Sequence, residues 1–322
     1  MVTTETAARV QNLVKRYGDI LALDNVNLEI STGEILGLLG PNGAGKTSLI
    51  YALSGLIGVD GGAIELFEKP LEGNIAEHKR RIGLVTQEVT VFDDLTAREN
   101  LEFFGGVYGL RGAALHERVT ETLRFVGLEQ RAGDRPAKYS GGMKRRLNIA
   151  CALVHEPDLL IMDEPTVGID PQSRNHILES VRELNRAGTT ILYTTHYVEE
   201  VQSIADHVVI LDHGQTIASG TVRELVDTIR HEERIVIEPV EQTGELEKAL
   251  LEVDGVKDVT ATGASLLVTS TAGSGNLDRL LAVAREAGGV RSVHTEEPSL
   301  EDVFLTLTGR ALRDGDAVEV QR

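Results

Sequence analysis

One string constrains this chain more than any other. Gly40-Pro41-Asn42-Gly43-Ala44-Gly45-Lys46-Thr47 fits G-x-x-x-x-G-K-[ST] in full. It follows an apolar stretch, Glu34–Leu39, that reads as a strand. It opens Lys46–Leu56, which reads as a helix. Glycines let such a loop wrap closely around phosphate oxygens. Successive N–H groups then form an anion nest, reinforced by the positive end of the helix. Lys46 is placed to neutralise the β- and γ-phosphates, and the Thr47 hydroxyl can ligate Mg²⁺; Ser48 continues the same binding turn. The bland alternative is a chance glycine-rich turn, and the flanking strand and helix argue against it.

The rest of the chain supplies the α/β context such a loop needs. Strands are expected at Leu28–Ile30, Ile82–Thr86, Asp158–Met162, Thr189–Thr194, His207–Asp212 and Gln215–Ser219. Helical periodicity runs through residues 96–127 and 141–155, then Gln172–Ala187 and Tyr197–Ile204. This alternation predicts a core with a mostly parallel sheet. Near residues 223–233 the pattern changes. Beyond it come strand, helix, two strands around Thr262-Gly263, helix and strand, the order of a ferredoxin-like sandwich. Ser299 and Asp302 are spaced for a capping box on a last helix. The expected organisation is a nucleotide-binding domain at 1–225, an accessory domain at 226–312 and a flexible polar tail at 313–322.

A second chemical feature lies far along the chain. Leu159-Leu160-Ile161-Met162-Asp163-Glu164 is an apolar strand ending in two acids. Beside a phosphate loop, Asp163 is placed to hold Mg²⁺ and Glu164 to polarise an attacking water. The net charge of −18, heaviest in the C-terminal part, opposes binding to nucleic acid at large. The single cysteine, Cys151, sits in an apolar stretch and reads as a buried small side chain. Met1–Val10 has no apolar core like that of a secretory signal. No run reaches the ~18 apolar residues that span a bilayer.

A phosphate loop with an acidic strand leaves kinases, GTPases and several ATPases open. Ser140-Gly141-Gly142-Met143-Lys144 narrows the choice, because it resembles the L-S-G-G-Q signature of ABC ATPases and lies between loop and acidic strand. The other motifs of that family follow in order. By resemblance, Tyr17 is the aromatic that stacks on adenine, and Gln87 touches Mg²⁺ and the water. Asp170, in Gly168-Ile169-Asp170, belongs to the loop that crosses a dimer interface. His196 is the switch residue at the γ-phosphate. The resemblance covers residues 8–225. It implies a P-loop core with a helical subdomain, binding ATP and Mg²⁺. It also implies a second ATPase subunit, a homodimer being permitted by the complete motif set, whose Ser140, Gly141 and Gly142 close the site from across the interface.

Tyr139 and Met143 depart from the common Leu and Gln of the signature, and Val167 stands where a small residue is common. Tyr139–Lys144 resembles the branch of drug-resistance, sodium-extrusion and lipid exporters, as does Pro298–Phe304. That branch implies a separate membrane permease, received near Gln87–Asn100, and a cytoplasmic place on the inner face of the membrane. The C-terminal domain is then expected to stabilise the dimer or regulate its opening. The competing reading is a soluble ABC ATPase acting on ribosomes or DNA. A single phosphate loop, no sustained heptads and strong acidity weigh against it.

Overall fold

The computed structural model describes residues 5–229, 232–241, 244–271, 275–287, 289–296 and 298–308. The described residues up to Val222 pack as one compact unit, and those from Arg223 onward as a second. The tail beyond residue 312 lies outside the described residues.

The first unit is built on a six-stranded sheet. Its order is Gln215–Gly220, His207–Asp212, Ile35–Leu39, Thr190–Thr195, Leu159–Asp163 and Ile82–Val85. The last five strands run parallel, and Gln215–Gly220 closes a hairpin with His207–Asp212. The turn between them, His213-Gly214, has φ of 45° and 75° at its two residues. Two positive φ values match the twist of the flanking strands. Both faces of the sheet's central strands are buried, so Ile35–Leu39 and the run from Leu159 to Met162 are apolar throughout. Leu36, Leu38, Leu159, Ile161 and Leu192 face one core. Ile35, Leu160, Met162, Ile191 and Tyr193 face the other.

The first of these cores is covered by a separate four-stranded antiparallel sheet, Ile20–Ser31, Thr6–Tyr17, Gly61–Leu66 and Lys69–Pro70. The sequence reading found only Leu28–Ile30 of it. The long strands are irregular: bulges break the pairing, and Asn12 and Asn25 have φ of 48° and 53°. Each bulge resets the inward face, which erases strict alternation from the sequence.

The helical stretch expected at residues 96–127 is divided into two helices, Ala97–Val107 and Gly112–Phe125. Gly109, at φ 98°, ends the first. These helices pack with Gly141–Leu153 around Leu101, Val119, Leu123, Leu147 and Cys151. Burial pushes the Cys151 thiol up, as suits an inert core residue. Asn100 ties this subdomain together. It is fully buried, accepts from Phe92 N at 2.8 Å and donates to the carbonyls of Phe92, Leu95 and Thr96.

The second unit has a four-stranded antiparallel sheet in the order Val256–Thr262, Ser265–Thr271, Glu232–Pro239 and Val290–Glu296. Helices Gly244–Leu251 and Leu277–Ala287 cover one face around Ile235, Ile237, Leu266 and Val268. This is the expected ferredoxin-like order. Ser299 caps the last helix reciprocally: its N donates to Asp302 Oδ2 at 2.8 Å and Asp302 N donates to Ser299 Oγ at 3.2 Å. Among the described residues no helix is long and apolar enough to cross a membrane.

Replacing Asn100 by Ala takes the side-chain partner from Phe92 N and Leu95 O and one of two partners from the carbonyls of Phe92 and Thr96. We expect a loss of about 2 kcal/mol, read as a lower denaturant midpoint with an unchanged slope.

Candidate functional site

Parallel pairing sets where the chemistry emerges. Leu39 is in register with Thr195, and Asp163 with Thr194. The phosphate loop, the two acids and His196 therefore leave the sheet at one edge, the carboxyl ends of the strands, where open α/β sheets bind ligands. A cleft of 430 Å³ lies there. Pro41–Ser48, Gln87, Glu164 and His213 line it, with Ile20, Leu21 and Ala22 on the other wall. A larger cleft of 550 Å³, lined by Arg118, Phe125 and Glu183 among others, holds none of these groups.

The loop is shaped by backbone that only glycine tolerates well. Gly43 and Gly45 have φ of 79° and 105°, and a Cβ on Gly45 would meet the Ala22 carbonyl at 2.6 Å. Gly45 also caps the helix Lys46–Leu53 without any side chain, leaving the approach to its first amides uncovered.

Inside the cleft the polar groups form one connected chain. Lys46 is buried; its ammonium donates to the carbonyls of Gly40 at 2.7 Å and Pro41 at 3.1 Å, and pairs with Glu164 Oε1 at 3.0 Å. Glu164 Oε2 lies 3.2 Å from His196 Nδ1. Thr47 Oγ1 donates to Asp163 Oδ2 at 3.1 Å. The Thr194 hydroxyl donates to Asp163 Oδ1 at 2.8 Å and accepts from Glu164 N at 3.1 Å. Burial holds the Asp163 carboxyl above the ordinary range, against the pull of the Thr194 and Thr47 hydroxyls. Glu164 takes φ 45°, a left-handed backbone rare outside glycine. Such a residue stores about 1 kcal/mol or more and persists only when its surroundings hold it.

The remaining predicted residues lie outside this cleft. Tyr17 ends the strand Thr6–Tyr17, paired with Ile20, and is 45% exposed. Ser140 caps Gly141–Leu153, its Oγ accepting from Met143 N at 3.3 Å. Gly141 is exposed and Gly142 buried. A Cβ on Gly142 would collide with the Ser173 side chain, so this helix start needs glycine to pack beside the helix Pro171–Arg186. Asp170 caps that second helix, accepting from Ser173 N at 2.9 Å. The structure thus brings Ser140, Gly142 and Asp170 together, on a surface separate from the phosphate loop.

Comparison with known proteins agrees with this geometry. Residues 23–167 match the family described as ABC transporter. Residues 220–308 match the C-terminal domain of ATP-binding protein DrrA1-3-like. The linearmycin resistance ATP-binding protein LnrL of Bacillus subtilis is 42% identical over 309 residues, 95% of this chain and 99% of that one. The chain belongs to the ABC transporter family. The Nod factor export ATP-binding protein I of Cupriavidus metallidurans is 41% identical over 95% of this ABC ATPase and 98% of its own length. The daunorubicin resistance ATP-binding protein DrrA2 of Streptomyces coeruleorubidus is 38% identical over 97% and 98%. A solved ATP-binding subunit of an ABC transporter superposes with TM-score 0.64 at 32% identity, covering 69% of this chain and 93% of its own. A dimeric ATP-binding cassette bound to ADP and Pi in a post-hydrolysis state superposes with TM-score 0.61 at 27% identity, covering 66% and 98%.

Two features of this ABC ATPase escaped the sequence reading. Tyr139, which replaces the common signature leucine, is buried and donates its hydroxyl to Arg131 O at 2.7 Å. Arg145 is the larger omission. It is 2% exposed and faces carbonyl oxygens only. Its guanidinium donates to Thr86 O at 2.6 Å, Gln87 O at 3.0 Å, Glu164 O at 2.7 Å and Pro165 O at 2.6 Å. Burial lowers its pKa. Lys144-Arg145-Arg146 reads in sequence as an ordinary basic run, and only the fold distinguishes its middle member. His294 and Glu296 sit on a strand of the second unit and Glu297 lies outside the described residues; no cluster of three or more metal-binding side chains occurs among those described.

A lysine at 145 has one ammonium where five carbonyls converge, that of Asp163 at 3.4 Å among them. Arg145→Lys is expected to lower the steady-state ATPase kcat at least about tenfold and to cost about 2 kcal/mol in denaturant unfolding.

Proposed function

We propose that this chain is the ATP-hydrolysing subunit of an exporter, acting as a homodimer beneath a separate membrane permease. The observation that carries the reading is the split arrangement. Lys46, Thr47, Asp163, Glu164 and His196 are joined in one constellation, whereas Ser140, Gly142 and Asp170 form another elsewhere on the same unit. A second copy placed head to tail would bring the second constellation over the first, with ATP between them. The relatives named for linearmycin and daunorubicin resistance and for Nod factor export support the export role, and the DrrA-like second domain favours it over action on ribosomes or DNA.

The residues fit the nucleotide and its metal. The loop amides and Lys46 receive phosphate oxygens. Tyr17 and Ile20, both exposed at the end of one hairpin, offer an apolar surface to the base. Thr47 and Asp163 present oxygen donors alone, which suits a hard divalent cation, and Gln87 at the cleft wall completes the set. Mg²⁺ held there would neutralise phosphate charge. In the structure Lys46 neutralises Glu164. A phosphate oxygen competes for that ammonium and frees the carboxylate. Glu164 then orients a water and accepts its proton as the water oxygen bonds to the γ-phosphorus, while ADP departs with the electrons of the broken P–O bond. His196 holds the second oxygen of Glu164 and reaches towards the γ-phosphate. Ser140, Gly141 and Gly142 of the second copy offer amides and a hydroxyl to the same phosphate, and hydrolysis loosens the pair.

Glu164→Gln keeps the size and one acceptor but not the base. The variant is expected to bind ATP with a dissociation constant within about threefold of the parent while kcat falls at least about 100-fold. With ATP it should elute as a dimer on size exclusion. Normal turnover would refute the role of Glu164.

A further inference from the structure

Among the described residues, Glu200 is the most deeply buried carboxylate that the hydrolytic chemistry leaves unused. It lies in the helix Val198–Ile204, just after His196, and is 2% exposed. In sequence Glu199-Glu200 looks like a pair of solvated acids at a helix start. The fold instead surrounds Glu200 with hydroxyls. Thr166 Oγ1 donates to Oε1 at 2.7 Å; Tyr193 OH and Thr195 Oγ1 both donate to Oε2 at 3.0 Å. All three donors are fully buried. Arg174 Nε lies 3.4 Å from Oε1, and its guanidinium covers the Tyr197 ring at 4.7 Å.

The sources of these contacts give the cluster its meaning. Thr166 stands between Glu164 and Asp170, on the loop that runs from the water-activating acid to the second constellation. Arg174 lies in the first turns of the helix that Asp170 caps. Thr195 precedes His196, and its hydroxyl also accepts from Tyr197 N at 3.0 Å. One carboxylate therefore joins the His196 loop through one oxygen and the Glu164–Asp170 loop through the other. A leucine would fill the same space without the desolvation cost of a charge, so packing alone does not call for a carboxylate here.

We propose that Glu200 is a positioning residue that fixes the His196 loop to the Glu164–Asp170 loop, so that the state of the γ-phosphate is transmitted to the surface meeting the second copy. This rests on the dimer reading above for its last step only. The mechanical part needs a single chain. If phosphate draws His196, Thr195 moves with it, and the shared carboxylate carries Thr166 and Arg174 along. Buried hydrogen-bonded networks suit such coupling because each member has a costly alternative when it parts from the others.

Two variants of the full chain test this. Glu200→Gln keeps the shape but turns one acceptor into a donor. Whichever way the amide lies, either Thr166 with Arg174 or Tyr193 with Thr195 loses its acceptor. Thr166→Val removes the hydroxyl that donates to Glu200 and its contact with the Tyr193 hydroxyl, both inside the same cluster. Each single variant is expected to lower the ATPase kcat about fivefold or more, with KM for ATP within about twofold and an unfolding midpoint within a few degrees of the parent. The double variant should be no slower than the slower single, because the Thr166 hydroxyl acts within the Glu200 cluster. Multiplied losses in the double, or an unchanged kcat in Thr166→Val, would overturn the proposal. If Glu200→Gln fails to fold, the kcat and KM of Thr166→Val decide alone. For the last step, Thr166→Val is added to Glu164→Gln, and its ATP-held dimer should dissociate about fivefold faster than that of Glu164→Gln alone. An equal lifetime would overturn the transmission. Absence of any ATP-held dimer in Glu164→Gln would instead remove the dimer reading, and the kinetic cycle would still judge the positioning role.

Discussion

A guanidinium with almost no access to water must be compensated from within, and every hydrogen bond that Arg145 donates goes to a backbone carbonyl. Peptide carbonyls carry only partial charges, so several must converge to replace lost hydration. Those of Thr86, Gln87, Glu164 and Pro165 do so. The consequence is geometric. The turn after the strand Ile82–Val85, the turn after Leu159–Asp163 and the helix that begins at the signature are pinned to one planar group. Glu164 can hold its left-handed backbone because its carbonyl is fixed by Arg145 and its amide by Thr194. The position of the base, the glutamine turn and the signature helix are thus set together.

The legible part of the molecule was the part whose physics is local. The phosphate loop is the consecutive run Gly40 to Thr47 with a fixed backbone, so the sequence contains the whole device. The second unit was readable for a similar reason: the short apolar runs Ile235–Ile237 and Leu266–Val268 are flanked by polar residues, and their strands pair without a bulge. The antiparallel sheet of the first unit was not, because its bulges shift the buried face along Thr6–Tyr17 and Ile20–Ser31. The helical periodicity read across residues 96–127 did not reveal the break at Gly109, where a left-handed residue ends one helix before the next begins.

Charged residues were the least legible. Arg145 sits in a basic run and Glu200 in an acidic pair, and both compositions describe solvated surface. Each is buried because distant segments bring it hydrogen-bonding partners: carbonyls for the cation, hydroxyls for the anion. No periodicity announces this, since a helix position faces inward or outward regardless of the charge it carries. The useful signal would be a buried phase on the helix. Arg145 follows Gly142 by three residues and precedes Asn148 and Ile149 by three and four, all of them buried. A charge on that stripe next to the motifs of a catalytic site is a candidate for structural control of it.

The constellation at the strand ends also partners its charged groups internally. Lys46 meets Glu164, and Asp163 carries hydroxyl hydrogen bonds while burial disfavours its ionised form. A site of this kind need not wait for ligand with bare buried charges, which would weaken the fold. On the proposed function, arriving phosphates and a divalent cation would exchange these internal partners for external ones: Lys46 would turn to phosphate, and a cation beside Asp163 would favour its ionised form. The same exchange would release the Glu164 carboxylate for the water. Coupling of binding to activation would then follow from electroneutrality in the cleft, and would require only that the Lys46–Glu164 pair be weaker than Lys46 with phosphate.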